Sequence, residues 1–191
     1  MSANLERLKR THALVQTRPD EALAELRTLE AEGDIACLAM IGGLYHRYLA
    51  EEKRDVSKAE EYYRRSYDAG MNEGLYSLGR LYFDQKKYGE AECVFLDGVS
   101  KNFLPAFFWL ARLYDEMLSH AEQAVTKEKV VLAYENAARR GHLYAIRRLF
   151  DIYRNPWWGA PQYLKAIRTY IRMIAGIRVL FFCRHPDDRL R

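Results

Sequence analysis

The side chains that most often carry catalysis are too scattered in this sequence to cooperate locally. His12, His46, His120, His142 and His185 stand far apart with no pair four residues from one another, so no single helix presents two imidazoles to a metal or a substrate. No GxSxG, HExxH, GxGxxG or phosphate-cradling P-loop occurs. Cys37, Cys93 and Cys183 are odd in number, widely spaced and without a CxxC, a pattern of reduced thiols rather than of disulfides or a metal site. His185 beside Asp187 and Asp188 reads as a solvated polar tail. The expectation is a protein with no catalytic residues, no metal and no cofactor.

The chemistry that does recur is that of recognition. Tyr76 with Arg80, Phe108 with Arg112, and Arg147 with Asp151 are pairs four residues apart, which a helix brings onto one face. Trp109 and Arg148 adjoin them. Arginine and aromatic side chains bury large area with little rotamer loss per contact, so Tyr76, Arg80, Phe108, Trp109, Arg112, Arg147 and Arg148 form a candidate partner-binding stripe. The plain alternatives are core filling for Phe108 and Trp109 and a solvated face for the arginines.

Charge is laid down unevenly. Residues 139–191 hold twelve Lys and Arg against Asp151, Asp187 and Asp188, a net +9, which leaves −5 for residues 1–138. Arg168, Arg172, Arg178 and Arg184 make a basic edge in that segment, suited to an acidic partner or an anionic membrane surface. Specific nucleic-acid binding is not expected, because charge without a groove-reading motif attracts phosphate only non-specifically.

The elements that must position these residues follow from a repeat. IGGLY, LGRLY, LARLY and LFDIY end at Tyr45, Tyr82, Tyr114 and Tyr153. Eight residues before each Tyr stands Cys37, Gly74, Ala106 or Ala145, and three before it Gly42, Gly79, Ala111 or, as the exception, Phe150. Helical geometry places these on one low-profile strip against which another helix can pack closely. Twelve before each Tyr stands Gly33, Gly70, Asn102 or Gly141, residue types that end a helix in the left-handed conformation. Ala22, Ala59, Ala91 and Val130 each precede such a cap by eleven residues, which marks a second helix per unit. Helices are expected to end at Gly33, Gly70, Asn102, Gly141 and Gly176, with positions 37, 74, 106 and 145 buried. The Tyr-to-Tyr distance varies as 37, 32 and 39 residues, and the variation falls in one inter-helix loop.

The combination of a small residue, Leu-Gly-x-Leu-Tyr, Lys58-Ala59, Tyr62-Tyr63-Arg64-Arg65 and Ala69-Gly70 resembles the Sel1-like repeat, a relative of the tetratricopeptide repeat. Ile35–Gly70 matches best, Met71–Asn102 and Phe103–Gly141 less closely, and His142–Gly176 is degenerate. The resemblance implies an all-α, right-handed solenoid of about four helix-turn-helix repeats with N- and C-terminal capping helices. The chain is expected to form one domain over residues 1–191, with a helix pair at 1–33, repeats at 34–70, 71–102, 103–141 and 142–176, and a cap or tail at 177–191, and the resemblance itself covers about three quarters of it. The resemblance also implies a scaffold or adaptor that binds a protein or peptide on its concave surface, as in envelope or exopolysaccharide systems or in immunity against a secreted toxin. The branch that ties its helices with paired cysteines is not resembled.

Composition agrees with a folded protein: 49% hydrophobic, 29% charged, mean hydropathy −0.39. The first residues lack the apolar core of a signal peptide and no window reaches 18 uncharged apolar residues, so the cytoplasm of a bacterial-type cell is expected. Ile174, Ile177, Leu180 and Phe181 are expected to bury against the fourth repeat as a capping helix, leaving the arginines as an edge. The alternative is an exposed apolar strip flanked by Arg168, Arg172, Arg178 and Arg184 that meets an anionic membrane.

Overall fold

The computed structural model describes residues 2–120, 125–160 and 162–182, the side chains of residues 2–3, 172–173 and 176–182 excepted. The described residues are all-α. They divide into two compact units, Met1–Lys86 and Lys87–Arg191.

The first unit contains α1 (Ser2–Leu14), α2 (Pro19–Ala31), α3 (Leu38–Gly43), α4 (Val56–Asp68) and α5 (Asn72–Asp84). A single 3₁₀ turn, Ile35–Cys37, leads into α3, and a π-type turn, Leu44–Tyr48, extends it. The second unit contains α6 (Tyr88–Ser100), α7 (Leu104–Ser119), α8 (Lys127–Arg139), α9 (Leu143–Arg154) and α10 (Tyr163–Phe182). Within each unit successive helices pack against one another.

Local chemistry sets the boundaries. Asp55 and Thr126 accept hydrogen bonds from the backbone N–H groups of Lys58 (3.0 Å) and Lys129 (3.3 Å), capping α4 and α8. At the other ends the chain reverses through left-handed residues: Gly33 (φ 84°), Gly70 (φ 76°), Asn102 (φ 55°) and Gly141 (φ 88°). At Gly70 the amide of Met71 donates to Ser66 O (3.1 Å) and that of Gly70 to Tyr67 O (2.8 Å). This pair of bonds consumes the last free carbonyls of α4, and the same pair recurs at the other three reversals. Four of the five expected helix ends are therefore present. The fifth is not: α10 runs through Gly176 without a break. A glycine inside a helix costs roughly 1 kcal/mol against alanine, which a 20-residue helix absorbs.

The small strip is buried as its spacing requires: Cys37 and Ala145 are fully inaccessible, Ala106 nearly so, and Gly74 and Gly79 are buried. Ala22, Ala59, Ala91 and Val130 are inaccessible too, and four residues after each stands Leu26, Tyr63, Phe95 or Tyr134, also buried. The repeated tyrosines are structural. Arg27 donates to the Tyr45 hydroxyl and Arg64 to that of Tyr82, both at 2.5 Å, while Tyr114 donates to Glu92 (2.7 Å) and Tyr153 to Glu135 (2.6 Å). Each hydroxyl thus ties its helix to the helix before it, and Lys58, Lys129 and Lys165 lie over the rings of Tyr45, Tyr114 and Tyr153.

The C-terminal expectation needs correction. α10 does pack on α9, burying Ala166 and bringing the Tyr170 ring 5.5 Å from Phe150. Ile174, however, is 38% exposed rather than buried, because the packed edge of α10 is the one that carries Ala166. The side chains of Ile177, Leu180 and Phe181 lie outside the described residues, as do those of Arg172 and Arg178 and the whole of Cys183, Arg184 and His185.

Candidate binding clefts

Each unit has a cleft lined mainly by its Tyr-motif helices. In the second unit a cavity of about 440 Å³ is bounded by Phe108, Arg112, Asp115, Glu116 and Ser119 from α7 and by Tyr144, Arg147, Arg148 and Asp151 from α9, with Tyr134 of α8 between them. The α7 set recurs at intervals of three and four residues and the α9 set likewise, so each helix offers one continuous stripe.

The floor is built around one carboxylate. Arg148 donates to both oxygens of Asp115, Nε to Oδ2 at 2.8 Å and a terminal nitrogen to Oδ1 at 3.1 Å, and Tyr134 donates to Oδ2 at 3.1 Å. The bidentate fork fixes both side chains in one plane. Burial and the neighbouring Asp115 charge push the Tyr134 hydroxyl well above its ordinary range, so it remains a donor.

One end of the cleft is aromatic. The Phe108 ring stacks on His142 at 4.4 Å and 8°, with Tyr134 and Tyr144 at 6.3 and 6.2 Å. His142 is buried and its Nδ1 has no hydrogen-bond partner among the described residues, and desolvation lowers its pKa to about 4, so the ring is neutral at pH 7. The other end is charged and open: Arg112 and Arg147 are exposed, and Glu116 and Asp151, each four residues further along the same helix, line the cavity with them. Arg147 makes no hydrogen bond or ion pair to a described residue, whereas Arg112 lies over the Trp109 ring at 5.0 Å.

In the first unit a smaller cavity, about 200 Å³, is lined by residues of α1, α3 and its π-type extension, α4 and α5, among them His12, Arg47, Tyr63, Tyr76 and Arg80. Arg80 lies over the Tyr76 ring at 5.4 Å and donates to its hydroxyl at 3.3 Å. Tyr63 reaches this cavity from α4 as Tyr134 reaches the larger one from α8, and the two occupy the same position of the repeat.

Six of the seven stripe residues therefore line a cleft: Tyr76 and Arg80 in the first unit, Phe108, Arg112, Arg147 and Arg148 in the second. Trp109 does not. It is 8% exposed and stacks on Phe95 of α6 at 6.1 Å, so its area is spent in the core. Of the basic edge, Arg168 is exposed on α10, and the remainder falls outside the described side chains. Spacing alone missed Asp115, Tyr134, His142 and Tyr63. The aromatic four residues after the buried Ala59 or Val130 was a usable signal for the two tyrosines; nothing local marks Asp115 or His142. Among the described residues no helix is long and apolar enough to cross a membrane, and no cluster of His, Cys, Asp and Glu could hold a metal ion.

Comparison with protein-family models and with curated proteins gives no match. Solved structures do match. A Sel1 repeat protein from Oxalobacter formigenes superposes with a TM-score of 0.65 at 21% identity, over 92% of this chain and 75% of that one. A protective antigen present in uropathogenic Escherichia coli strains, displaying an SLR fold, gives 0.65 at 18% identity, over 91% of this chain and 41% of its own. The chain has the Sel1-like repeat fold, an all-α succession of paired helices. It spans less than half the length of the second of these proteins.

Proposed function

We propose that the chain is a non-catalytic interaction module, one continuous repeat array, that holds a protein or peptide partner along its Tyr-motif helices. The observation that carries this reading is the α7–α9 cleft, where an aromatic wall stands beside two exposed arginines over a floor already locked by the Arg148–Asp115–Tyr134 bonds. A preorganised floor lowers the entropic cost of binding, and arginine with aromatic residues supplies the anchors. Arg148 and Asp115 neutralise one another, and of the remaining charges Arg112 and Arg147 are exposed whereas Glu116 and Asp151 are half-buried, so the accessible cations suit an acidic group on a segment that also carries an aromatic or aliphatic side chain. The first-unit cleft, with Tyr76 and Arg80, is a second contact point. Scaffolding in an envelope or exopolysaccharide system and immunity toward a secreted toxin are the settings that the family resemblance implies, in the cytoplasm of a bacterial-type cell.

Peptides selected from a displayed random library provide the test. They should be rich in Asp or Glu next to an aromatic residue and should lose at least about tenfold in affinity when Arg112 and Arg147 are both replaced by Glu. The circular-dichroism melt should be unchanged, since both arginines are exposed. Undiminished binding by that variant overturns the reading, as does turnover of a substrate that depends on a single His or Asp.

A further inference from the structure

α10 packs one edge on α9 and leaves another bare. Leu164, Ile167, Ile171 and Ile174 follow one another at intervals of three, four and three residues and fall within an arc of about 80° on the helix. They are 77%, 53%, 60% and 38% exposed. Four branched aliphatic side chains in one row in water mark a surface that something covers.

Charge identifies what that is. Between Ile152 and Phe182 there is no Asp or Glu, while Arg154, Lys165, Arg168, Arg172 and Arg178 are present. Lys165 and Arg168 are exposed and lie on the flank beside the aliphatic row, and Arg168 makes no ion pair with a described residue. A second copy docked on the same row would bring cation to cation with no carboxylate of this segment to oppose them. An occupant that is apolar inside and anionic at its boundary satisfies both features. Tyr163 and Tyr170, 62% and 45% exposed, border the row on its other side, where an amphipathic ring suits the headgroup level.

We infer that α10 lies flat in the interface of an anionic phospholipid bilayer. Leu164, Ile167, Ile171 and Ile174 enter the acyl boundary while Lys165 and Arg168 meet the lipid phosphates. Its composition fits a helix that lies on a membrane rather than one that crosses it. This contact is independent of the two clefts.

Co-sedimentation of the whole chain with vesicles of phosphatidylcholine, with and without phosphatidylserine, tests the inference. Binding should require phosphatidylserine and weaken as salt rises. Arg168→Ala should reduce partitioning about fivefold and Ile171→Ser at least about tenfold, both without change in the circular-dichroism spectrum because both side chains are exposed. Equal binding to both kinds of vesicle overturns it. So does serine-lipid binding that Ile171→Ser leaves intact, since charge alone would then account for it, or a dimer in solution that Ile171→Ser dissolves.

Discussion

A β-carbon on Gly74 would stand 2.5 Å from the carbonyl carbon of Ser66, and 2.3 Å from the amide nitrogen of Tyr67. The backbone of α5 therefore rests directly on the backbone of α4, and no side chain at position 74 can be accommodated without moving one helix. At Gly42 the obstruction is different, because the nearest atoms, at 2.6 and 2.7 Å, belong to the Tyr63 ring.

That difference predicts an order of stability. Gly74→Ala should lower the unfolding free energy by about 2–3 kcal/mol despite a helix-propensity gain of about 1 kcal/mol, since backbone cannot yield. Gly42→Ala should cost less, and combining it with Tyr63→Leu should give less than the sum of the two separate losses. Gly79→Leu, at a buried position of the same strip, should cost roughly 1–3 kcal/mol. Urea midpoints of the five variants check the series.

The Asp115 carboxylate should be worth more than an ordinary surface ion pair. Asp115→Ala leaves the Arg148 fork and the Tyr134 hydroxyl without their acceptor and should destabilise by about 1–3 kcal/mol, the lower end reflecting the partial exposure of Arg148. Asp115→Asn, which still accepts from one donor, should lose less. Denaturant melts of Asp115→Ala, Arg148→Ala and the double variant should show a coupling above about 0.5 kcal/mol.

His142 should make stability depend on pH. Its folded pKa, lowered to about 4 by burial, lies below the ordinary value of 6.5, so between those two values the unfolded chain binds more protons than the folded one. The stability present above pH 6.5 is then lost as pH falls toward 4, by up to about 3 kcal/mol. His142→Phe keeps a flat ring against Phe108 and removes the titration, so its melting temperature at pH 5 should exceed that of the parent. Equal pH slopes for the two proteins would show that other groups set the acid limit.

Much of the fold was legible because its requirements are local. A left-handed turn at Gly33, Gly70, Asn102 and Gly141 selects glycine or asparagine whatever packs nearby, and a close helix crossing selects Cys37, Gly74, Ala106 and Ala145 by size alone. Their fixed offsets from Tyr45, Tyr82, Tyr114 and Tyr153 therefore determined helix ends, the buried strip and the repeat, and with them the faces on which Tyr76, Arg80, Phe108, Arg112 and Arg147 stand. Contacts between distant segments decided the rest. Phe108 and Trp109 are adjacent and chemically alike, yet Trp109 is buried against Phe95 of α6 while Phe108 stacks on the buried His142 and lines the cleft. Asp115 becomes the floor of a site through partners 19 and 33 residues away, a relationship with no periodic signature. Gly176 has the residue type of a cap yet lies within α10, since a glycine ends a helix only where the chain must turn back onto a neighbour. Ile174 faces water for a related reason: an apolar periodicity specifies a face, and burial depends on whether another element lies against it.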